Sequence, residues 1–269
     1  MATVEILAVG NEILLGLIQD TNPNYLSRVV TARGGCVRRA AIVRDEESEI
    51  VAEINGSLAR GPDLIFTCGG LGPTLDDLTI AAVAKAVGRN LALHADAKKF
   101  VEHRYESLAE AGYVAGPEMT KDRLKMAMLP EQAKMIANPV GAAPGVLIEL
   151  NHTKIVSLPG VPAELKAIVE GPLQPLLISI FGAGSYRERE ILVDCGDESV
   201  LAPLLSEVVS AHPNVYIKSH ASHFGPEVKF RIQLSATGSN AVHAEEKIAK
   251  AEDDLTRTFE RGGIRVLEK

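Results

Sequence analysis

Short apolar runs alternate with amphipathic segments along the amino-terminal part of the chain. The apolar runs have the length of buried strands, and the segments between them carry apolar residues at helical spacing. The predicted strands are Val4–Val9, Cys36–Val43 and Leu64–Phe66. The first predicted helix starts at Asn22, which serves as an N-cap before Pro23. The second and third predicted helices span Glu46–Leu58 and Ile80–Val87. This alternation is typical of a parallel sheet covered by helices on both faces.

Glycine loops follow three of the predicted strands. Gly10-Asn-Glu12 follows the first strand, and Gly69-Gly-Leu-Gly72 follows the third. Pro159-Gly-Val-Pro-Ala-Glu164 follows the strand Lys154–Leu158, which is predicted to form a hairpin with Gly145–Leu150. In sheets of this type, ligands bind beyond the carboxyl ends of the strands. The sequence therefore predicts that the three loops meet at one edge of the sheet and form a site there.

The segment from Gly69 to Asp77 permits two interpretations. In the first, the glycines only form a turn, and Asp76 and Asp77 cap the helix that follows. In the second, the loop amides bind a phosphate, and a cation such as Mg²⁺ offsets the two carboxylates. The segment has neither the lysine of a Walker loop nor the G-x-G-x-x-G spacing of a dinucleotide site. Both interpretations therefore stay open on this stretch alone.

Composition narrows the function classes. The chain has 269 residues, and its hydrophobic content of 46% is sufficient for a sizeable core in one or two domains. A net charge of −7 and the lack of Trp argue against general nucleic-acid or anionic-membrane binding. The three cysteines are far apart and fit no disulfide framework, and the first residues lack a basic signal segment. We therefore expect a soluble cytoplasmic protein.

The pattern changes after a boundary predicted at residues 171–184. A strand–helix–strand–strand–helix order predicts a small α+β domain, so we expect domains at residues 1–175 and 180–269. The elements predicted in the second domain are Glu188–Val193, Glu198–Val209, Val215–Lys218, Glu227–Ala236 and Asn240–Phe259. His220 and His223, with His212 upstream, have no nearby Cys or Glu to complete a zinc site. We interpret them as residues of a solvated loop.

Four segments, taken in order, resemble one known family. They are Gly10-Asn-Glu-Ile-Leu-Leu-Gly16 with Asp20-Thr-Asn22, Gly69-Gly-Leu-Gly-Pro-Thr-Leu-Asp-Asp-Leu-Thr79, Asn138-Pro-Val-Gly-Ala-Ala-Pro-Gly145 and Leu158-Pro-Gly-Val-Pro-Ala-Glu164. These segments are similar to the amino-terminal family of CinA, the competence/damage-inducible protein A. The resemblance implies an α/β fold of the MoaB/MogA, molybdopterin-binding type: a three-layer, mostly parallel sheet, followed by a small α+β KH-like domain. It also implies divalent-metal-dependent hydrolysis of the pyrophosphate in ADP-ribose and related dinucleotides such as FAD.

The sequence departs from that family at two positions. Met126 stands where we expect Gln, and Asn11 stands where some relatives have Asp, which lowers the charge available to a metal. The resemblance does not extend to the amidase domain that many members carry, so it gives no support for amidase activity. Residues 112–122 read as a loop that is suited to act as a lid, and Lys125 is a candidate to face a phosphate.

The leading hypothesis is a metal-dependent pyrophosphatase acting on ADP-ribose-like substrates. In this hypothesis Asp76, Asp77 and Glu12 are catalytic, and the two aspartates hold Mg²⁺ or another divalent cation such as Mn²⁺ or Co²⁺. The residues expected to bind phosphate or nucleotide are Gly69, Gly70, Gly72, Thr74, Asn22, Asn138, Gly160 and Glu164.

Two alternatives stay open. A pterin-nucleotide protein of molybdenum-cofactor assembly, whether it binds or adenylates molybdopterin, would use the same loop, and the fold does not separate the two. A non-enzymatic regulator or nucleic-acid binder is suggested by the KH-like tail, but the tail lacks a G-x-x-G loop with basic flanks. We expect a nucleotide substrate and no nucleic-acid or membrane partner. The tail is better suited to packing in a homodimer or higher homo-oligomer.

Overall fold

The computed structural model describes residues 1–182, 184–220 and 229–268. The chain folds into two compact units. One consists of Met1–Val30 and Gly35–Ile180, and the other of Thr31–Gly34 and Phe181–Lys269. Each unit has its own sheet. Within the described ranges, no helix combines the length and the apolar composition needed to cross a membrane.

A six-stranded sheet forms the centre of the first unit. The elements up to residue 181 are β1 (Thr3–Val9), α1 (Asn11–Leu14), α2 (Asn22–Ala32), β2 (Cys36–Val43), α3 (Glu47–Arg60), β3 (Leu64–Cys68), α4 (Thr79–Ala86), β4 (Leu91–Leu93), α5 (Ala95–Glu110), α6 (Lys121–Lys125), β5 (Met128–Pro130), β6 (Lys134–Ile136), β7 (Gly145–Leu150), β8 (Thr153–Leu158), α7 (Pro162–Glu170) and α8 (Gln174–Phe181). The strand order is β2-β1-β3-β8-β7-β6. The first four strands in this order are parallel to one another, and β7 is antiparallel to both of its neighbours, β8 and β6. The predicted α/β class with a mostly parallel sheet is confirmed.

The central strands of this sheet are buried on both faces. All five residues of β3 are buried. On one face, Leu7 and Val9 of β1 belong to the same core cluster as Ile50 and Ile54 of α3. Ile6 and Ala8, which alternate with them along β1, are also buried. Burial on both faces explains why the strands appear in the sequence as continuous apolar runs and not as alternating patterns.

The predicted start of α2 at Asn22 is correct, but the prediction that the Asn22 side chain caps the helix is wrong. α2 begins at Asn22, and the backbone amide of Asn22 donates a hydrogen bond to Asp20 Oδ1 at 2.9 Å. Asp20 therefore supplies the acceptor that an N-cap side chain usually gives. The Asn22 side chain lies elsewhere, against the loop that follows β8.

Several short elements of the first unit are absent from the predictions. α1 lies inside the predicted Gly10–Gly16 loop, and α6 begins within the loop predicted at residues 112–122. β4, β5 and β6 have three residues each, which is too few for a periodic pattern. α8 lies within the boundary region predicted at residues 171–184, where the flanking glycines indicated a linker.

The second unit contains a four-stranded antiparallel sheet and its own core. Its elements are β9 (Ser185–Asp194), α9 (Glu198–Ala211), β10 (Val215–His220), β11 (Phe230–Gly238), α10 (Ala241–Arg261) and β12 (Arg265–Glu268). The strand order is β10-β11-β9-β12. β12 has four residues and was not predicted. Ile191 and Ile232 of the sheet share a core cluster with Leu205 of α9 and Leu255 of α10. The KH-like assignment stays a prediction.

The histidine segment of the second unit is only partly described. His212 Nε2 lies 2.8 Å from Asp254 Oδ2, so this histidine pairs with a carboxylate between α9 and α10. His220 Nε2 lies 3.1 Å from Gln233 Oε1 on the neighbouring strand. His220 therefore ends β10 and is not part of a free loop. His223, and residues 227–228 of the strand predicted at 227–236, lie outside the described residues.

Candidate functional site

A cavity of about 580 Å³ lies at the carboxyl ends of the parallel strands. Val9 of β1 and Cys68 of β3 line it, as does Pro159, which follows β8. Asp45, two residues beyond the end of β2, is a further lining residue. The cavity has the size of a typical small-molecule pocket. The predicted convergence of the glycine loops at one sheet edge is therefore present in the structure.

The loop after β3 packs too closely for any side chain at its first glycines. Gly69 has φ of 103°, and a side-chain carbon there would clash with the carbonyl oxygen of Val9. Gly70 has φ of 67°, and a side-chain carbon there would clash with Thr79. Gly69 N also donates a hydrogen bond to Leu158 O at 3.0 Å. Glycine at these positions thus allows the loops after β1, β3 and β8 to meet.

Thr74 holds the two aspartates of this loop in place. Its backbone amide and its hydroxyl both donate to Asp77 Oδ2, at 2.8 and 2.6 Å. The hydroxyl is also within hydrogen-bonding distance of Asp76 Oδ1. The Thr74 hydroxyl, with a smaller contribution from the charge of Lys125, lowers the pKa of Asp76. Lys125 Nζ donates to the carbonyl oxygen of Thr74, so the lysine braces the loop from outside the cavity lining.

Two more carboxylates approach from the loops after β1 and β2. Asp45 Oδ2 accepts a hydrogen bond from the backbone amide of Asn11 at 2.6 Å. Burial raises the pKa of Asp45, and the charges of Glu12, Asp76 and Asp77 raise it further. Glu12 folds back over its own loop, because a side-chain carbon on Gly10 would lie 2.7 Å from Glu12 Oε1. Four acidic side chains from three loops therefore share one electrostatic environment.

Asn22 joins the first loop to the loop after β8. Its side-chain nitrogen Nδ2 donates to the carbonyl oxygen of Gly160 at 2.7 Å. The Asn22 residue is 4% exposed and lines the cavity. Asp20, which caps α2, lines the same wall. This part of the wall is thus fixed by hydrogen bonds within the protein.

Glu164 on α7 is held by the Asn138 turn. Asn138 Nδ2 donates to Glu164 Oε2 at 2.7 Å and to Ala143 O at 2.8 Å. Asn138 Oδ1 accepts the backbone amide of Gly141 at 2.8 Å. Glu164 lines the cavity, whereas Asn138 is buried behind it. Asn138 therefore positions Glu164 and the turn, and it does not line the cavity.

The cavity lining is strongly acidic. Among the described residues that line it, none is Lys, Arg or His. The carboxylates that line it are Glu12, Asp20, Asp45, Asp76, Asp77 and Glu164. An anionic ligand would be repelled by this wall unless a cation lay between them.

An aromatic ring completes one part of the wall. Tyr105 of α5 lines the cavity, and the Arg123 guanidinium lies 3.9 Å from the centre of its ring. Arg123 Nη1 donates to the carbonyl oxygens of Gly116 and Glu118, at 2.8 and 2.7 Å. The loop at residues 112–120 is thereby tied to the ring through a cation–π contact.

Most of the predicted site residues line the cavity. The predicted residues in the lining are Glu12, Asn22, Gly69, Gly70, Gly72, Asp76, Asp77, Gly160 and Glu164. Thr74 and Asn138 support lining residues from outside the lining. Sequence reasoning missed Asp20, Asp45 and Tyr105. Asp45 could have been found, because it follows a predicted parallel strand and must lie at the same sheet edge.

The donor set for a metal consists of oxygens only. In the part of the chain that the structure describes, no group of three or more His, Cys, Asp or Glu side chains is arranged to hold a metal ion by itself. Asp76 and Asp77 nevertheless lie together, since both bond to the Thr74 hydroxyl. Such a pair fits Mg²⁺, which is commonly bound by one or two carboxylates together with the phosphates of a ligand.

Comparisons with known proteins agree with this architecture. The family described as the probable molybdopterin binding domain matches residues 5–179. A protein of Pyrobaculum aerophilum is 40% identical over 251 residues, which cover 93% of this chain and 91% of the relative. A protein of Thermococcus kodakarensis is 41% identical over 221 residues, covering 82% and 86% of the two chains.

One solved structure is similar to this chain in both sequence and fold. The crystal structure of the protein CinA, of unknown function, from Thermoplasma acidophilum is 34% identical, with a TM-score of 0.59. The match covers 65% of this chain and 98% of that one. These matches confirm the CinA-like resemblance of the sequence motifs, and the chain belongs to the family of the probable molybdopterin binding domain.

Proposed function

We propose that the acidic cavity binds a phosphorylated heterocyclic ligand through a divalent cation, and that molybdopterin or a pterin nucleotide is the ligand class it fits best. The observation that carries the proposal is the charge of the wall, which has six carboxylates and no basic side chain among the described lining residues. A phosphate approaches such a wall only with a cation in between. Membership of the molybdopterin-binding family supports the pterin.

In this proposal the two aspartates bind the cation, and the backbone of the glycine loop binds ligand oxygens. The hydroxyl and amide of Thr74 occupy Asp77 Oδ2, which leaves Oδ1 to face a cation. Thr74 also keeps Asp76 ionised by lowering its pKa. The backbone at Gly70 and Gly72 lines the cavity without side chains, so ligand oxygens can approach the loop amides.

The cation supplies the chemistry that the protein side chains lack. Mg²⁺, Mn²⁺ or Co²⁺ held by Asp76 and Asp77 would neutralise phosphate charge and would supply the Lewis-acid chemistry for a reaction at a phosphoric anhydride. Asp45 and Glu12 line the same cavity, and burial raises the pKa of Asp45 above that of an exposed aspartate. This arrangement suits an enzyme that makes or breaks a phosphoric anhydride.

A second candidate is the hydrolysis of ADP-ribose or a related dinucleotide such as FAD. The resemblance of the sequence motifs to the CinA family implies this activity and is its only support. It would use the same cation, carboxylates and loop amides. The two candidates differ in the heterocycle they bind and in the direction of the anhydride reaction.

One panel of reactions separates the candidates. The purified protein is incubated with molybdopterin and ATP, with ADP-ribose, or with FAD, each with Mg²⁺, Mn²⁺ or Co²⁺ and each with a chelator. Formation of adenylated molybdopterin supports the first candidate, and AMP release from ADP-ribose or FAD supports the second. An Asp77→Asn variant should lose activity by about 10²-fold if Asp77 holds the cation. Equal product formation with the cation and with the chelator would contradict both candidates.

A further inference from the structure

Two buried side-chain oxygen atoms, on residues that line the cavity, have no hydrogen-bond partner among the described residues. They are Asp20 Oδ2 and Asn22 Oδ1. Both residues line the cavity, and Asn22 is 4% exposed. Buried polar atoms in folded proteins are almost always paired, so two adjacent exceptions in one cavity need an explanation.

The orientation of both side chains is fixed by their other bonds. Asn22 Nδ2 is held by the carbonyl oxygen of Gly160 at 2.7 Å, so a flip of the amide would lose this bond. Asp20 Oδ1 is held by the backbone amide of Asn22 at 2.9 Å. The groups that remain unsatisfied are therefore both acceptors, one from a carboxylate and one from an amide.

We infer that Asp20 and Asn22 form an acceptor pair that recognises neutral hydrogen-bond donors of the ligand. A phosphate oxygen has no hydrogen to give and would be repelled by the carboxylate, so the phosphates lie elsewhere in the cavity. The donors are O–H or N–H groups on the part of the ligand that is not phosphorylated. This inference rests on the proposed function only in placing the ligand in the same cavity.

Two parts of a ligand can supply such donors. One is the amino and ring N–H edge of a pterin-like heterocycle, and the other is the vicinal diol of a ribose. A site built to accept hydrogen bonds rejects an analogue that lacks the donors, because its own buried acceptors are then left unpaired. Matched analogues can therefore test the pair directly.

The test compares neutral compounds in the absence of metal, so phosphate and cation play no part. Pterin is paired with lumazine, which keeps ring N–H groups but carries a hydrogen-bond acceptor, an oxygen, in place of the amino donor. Adenosine is paired with 2′,3′-dideoxyadenosine, which lacks the diol. Binding is measured by calorimetry or by quenching of ligand fluorescence. We expect one donor-bearing compound to bind at least about tenfold more tightly than its analogue, and the pair that discriminates identifies the source of the donors.

An Asp20→Asn variant completes the test. Asparagine keeps the Oδ1 acceptor that caps α2 but turns the free oxygen into a donor, so the preference should disappear while the fold is kept. Asp253→Asn, at an exposed position of α10, is the control for loss of one negative charge and should keep the preference. Equal binding within both pairs, no binding of any compound, or an unchanged preference in Asp20→Asn would overturn the inference.

The proposed function fails in a different experiment. If phosphorylated ligands show no dependence on a cation while the donor preference is present, the acceptor pair stands and the cation-dependent function falls. If cation-dependent binding is present without a donor preference, the cation-dependent function stands and the acceptor pair falls.

Discussion

The side-chain amide of Asn22 donates a hydrogen bond to the carbonyl oxygen of Gly160 at 2.7 Å and ties two loops of the cavity wall together. Gly160 in turn lies against Gly69, since a side-chain carbon on Gly160 would come within 3.3 Å of Gly69 Cα. The three loops after β1, β3 and β8 are therefore fixed relative to one another. A site fixed in this way has less conformational entropy to lose when a ligand binds.

Removal of the hydrogen bond between Asn22 and Gly160 should lower the stability of the fold and loosen the loops of the site. Asn22→Ala leaves the Gly160 carbonyl without its donor, which costs about 1–3 kcal/mol if the carbonyl stays dry. Urea denaturation should show a lower free energy of unfolding. Asn55→Ala, at an exposed position of α3, is the control and should change the free energy of unfolding little. Equal stability of the two variants would mean that the bond does not hold the loops.

A side chain at Gly69 should strain the loop more than one at another left-handed glycine. Gly69 has φ of 103° and faces the carbonyl of Val9, whereas Gly88 has φ of 67° and has open space around its Cα. Gly88→Ala should therefore cost only the backbone strain of about 1 kcal/mol. Gly69→Ala adds a clash with backbone that cannot move away, and we expect about 2 kcal/mol more. Equal losses in urea denaturation would contradict the close packing of the loops.

The raised pKa of Asp45 makes a prediction about pH. Burial and the neighbouring carboxylates favour the protonated form in the folded protein, so the folded pKa lies above the usual 3.8. The folded state then binds more protons than the unfolded state, and the Asp45 contribution to stability falls as pH rises from 3.8 through the raised pKa. Above that window the cost is fully present. Asp45→Asn removes it and keeps an acceptor for the Asn11 amide.

Thermal unfolding at several pH values tests whether the Asp45 charge destabilises the folded protein. Asp45→Asn should raise the melting temperature at neutral pH, and the gain should shrink in acid as wild-type Asp45 takes up its proton. Asp253→Asn, in which an exposed carboxylate is replaced, should show no such trend. A variant less stable than wild type at neutral pH would mean that the Asp45 charge is compensated in the folded protein.

Tyr105 should contribute to ligand binding by stacking. Its ring lines the cavity and also makes a cation–π contact with the Arg123 guanidinium. Stacking of an aromatic side chain on a base contributes about 1–3 kcal/mol, so Tyr105→Leu should weaken the binding of a heterocyclic ligand by about tenfold or more. Tyr113→Leu, at a side chain that is 79% exposed and outside the lining, should leave the affinity unchanged. Calorimetric titration of both variants provides the measurement, and equal affinities would exclude a stacking role.

The sheet and the meeting point of the loops were predictable because both follow from strong local signals. Fully buried strands such as Leu64–Cys68 form continuous apolar runs, and the rule for parallel sheets places the residues that follow them at one edge. The cap of α2 was not predictable in the same way. Asp20 and Asn22 are both good caps, and only the position of Gly160 decides which one turns to the backbone.

The parts of the site that the sequence did not predict depend on distant residues. Tyr105 carries no sign of its role, because its place in the cavity follows from the packing of α5 and from Arg123. The support that Asn138 gives to Glu164 joins residues 26 positions apart. The three-residue strands β4, β5 and β6 pair with distant segments, and their own residues are too few to show a period.

The central claim is that Asp76 and Asp77 bind ligand phosphates through a divalent cation. The most direct measurement is calorimetric titration of molybdopterin and of ADP-ribose into the wild-type protein and the Asp77→Asn variant, each with Mg²⁺ and with chelator. For at least one of the two ligands, Mg²⁺ should tighten binding to the wild-type protein by at least about tenfold and should have little effect on the variant. Binding of equal strength with Mg²⁺ and with chelator, or an Asp77→Asn variant that keeps the full Mg²⁺ effect, would contradict it.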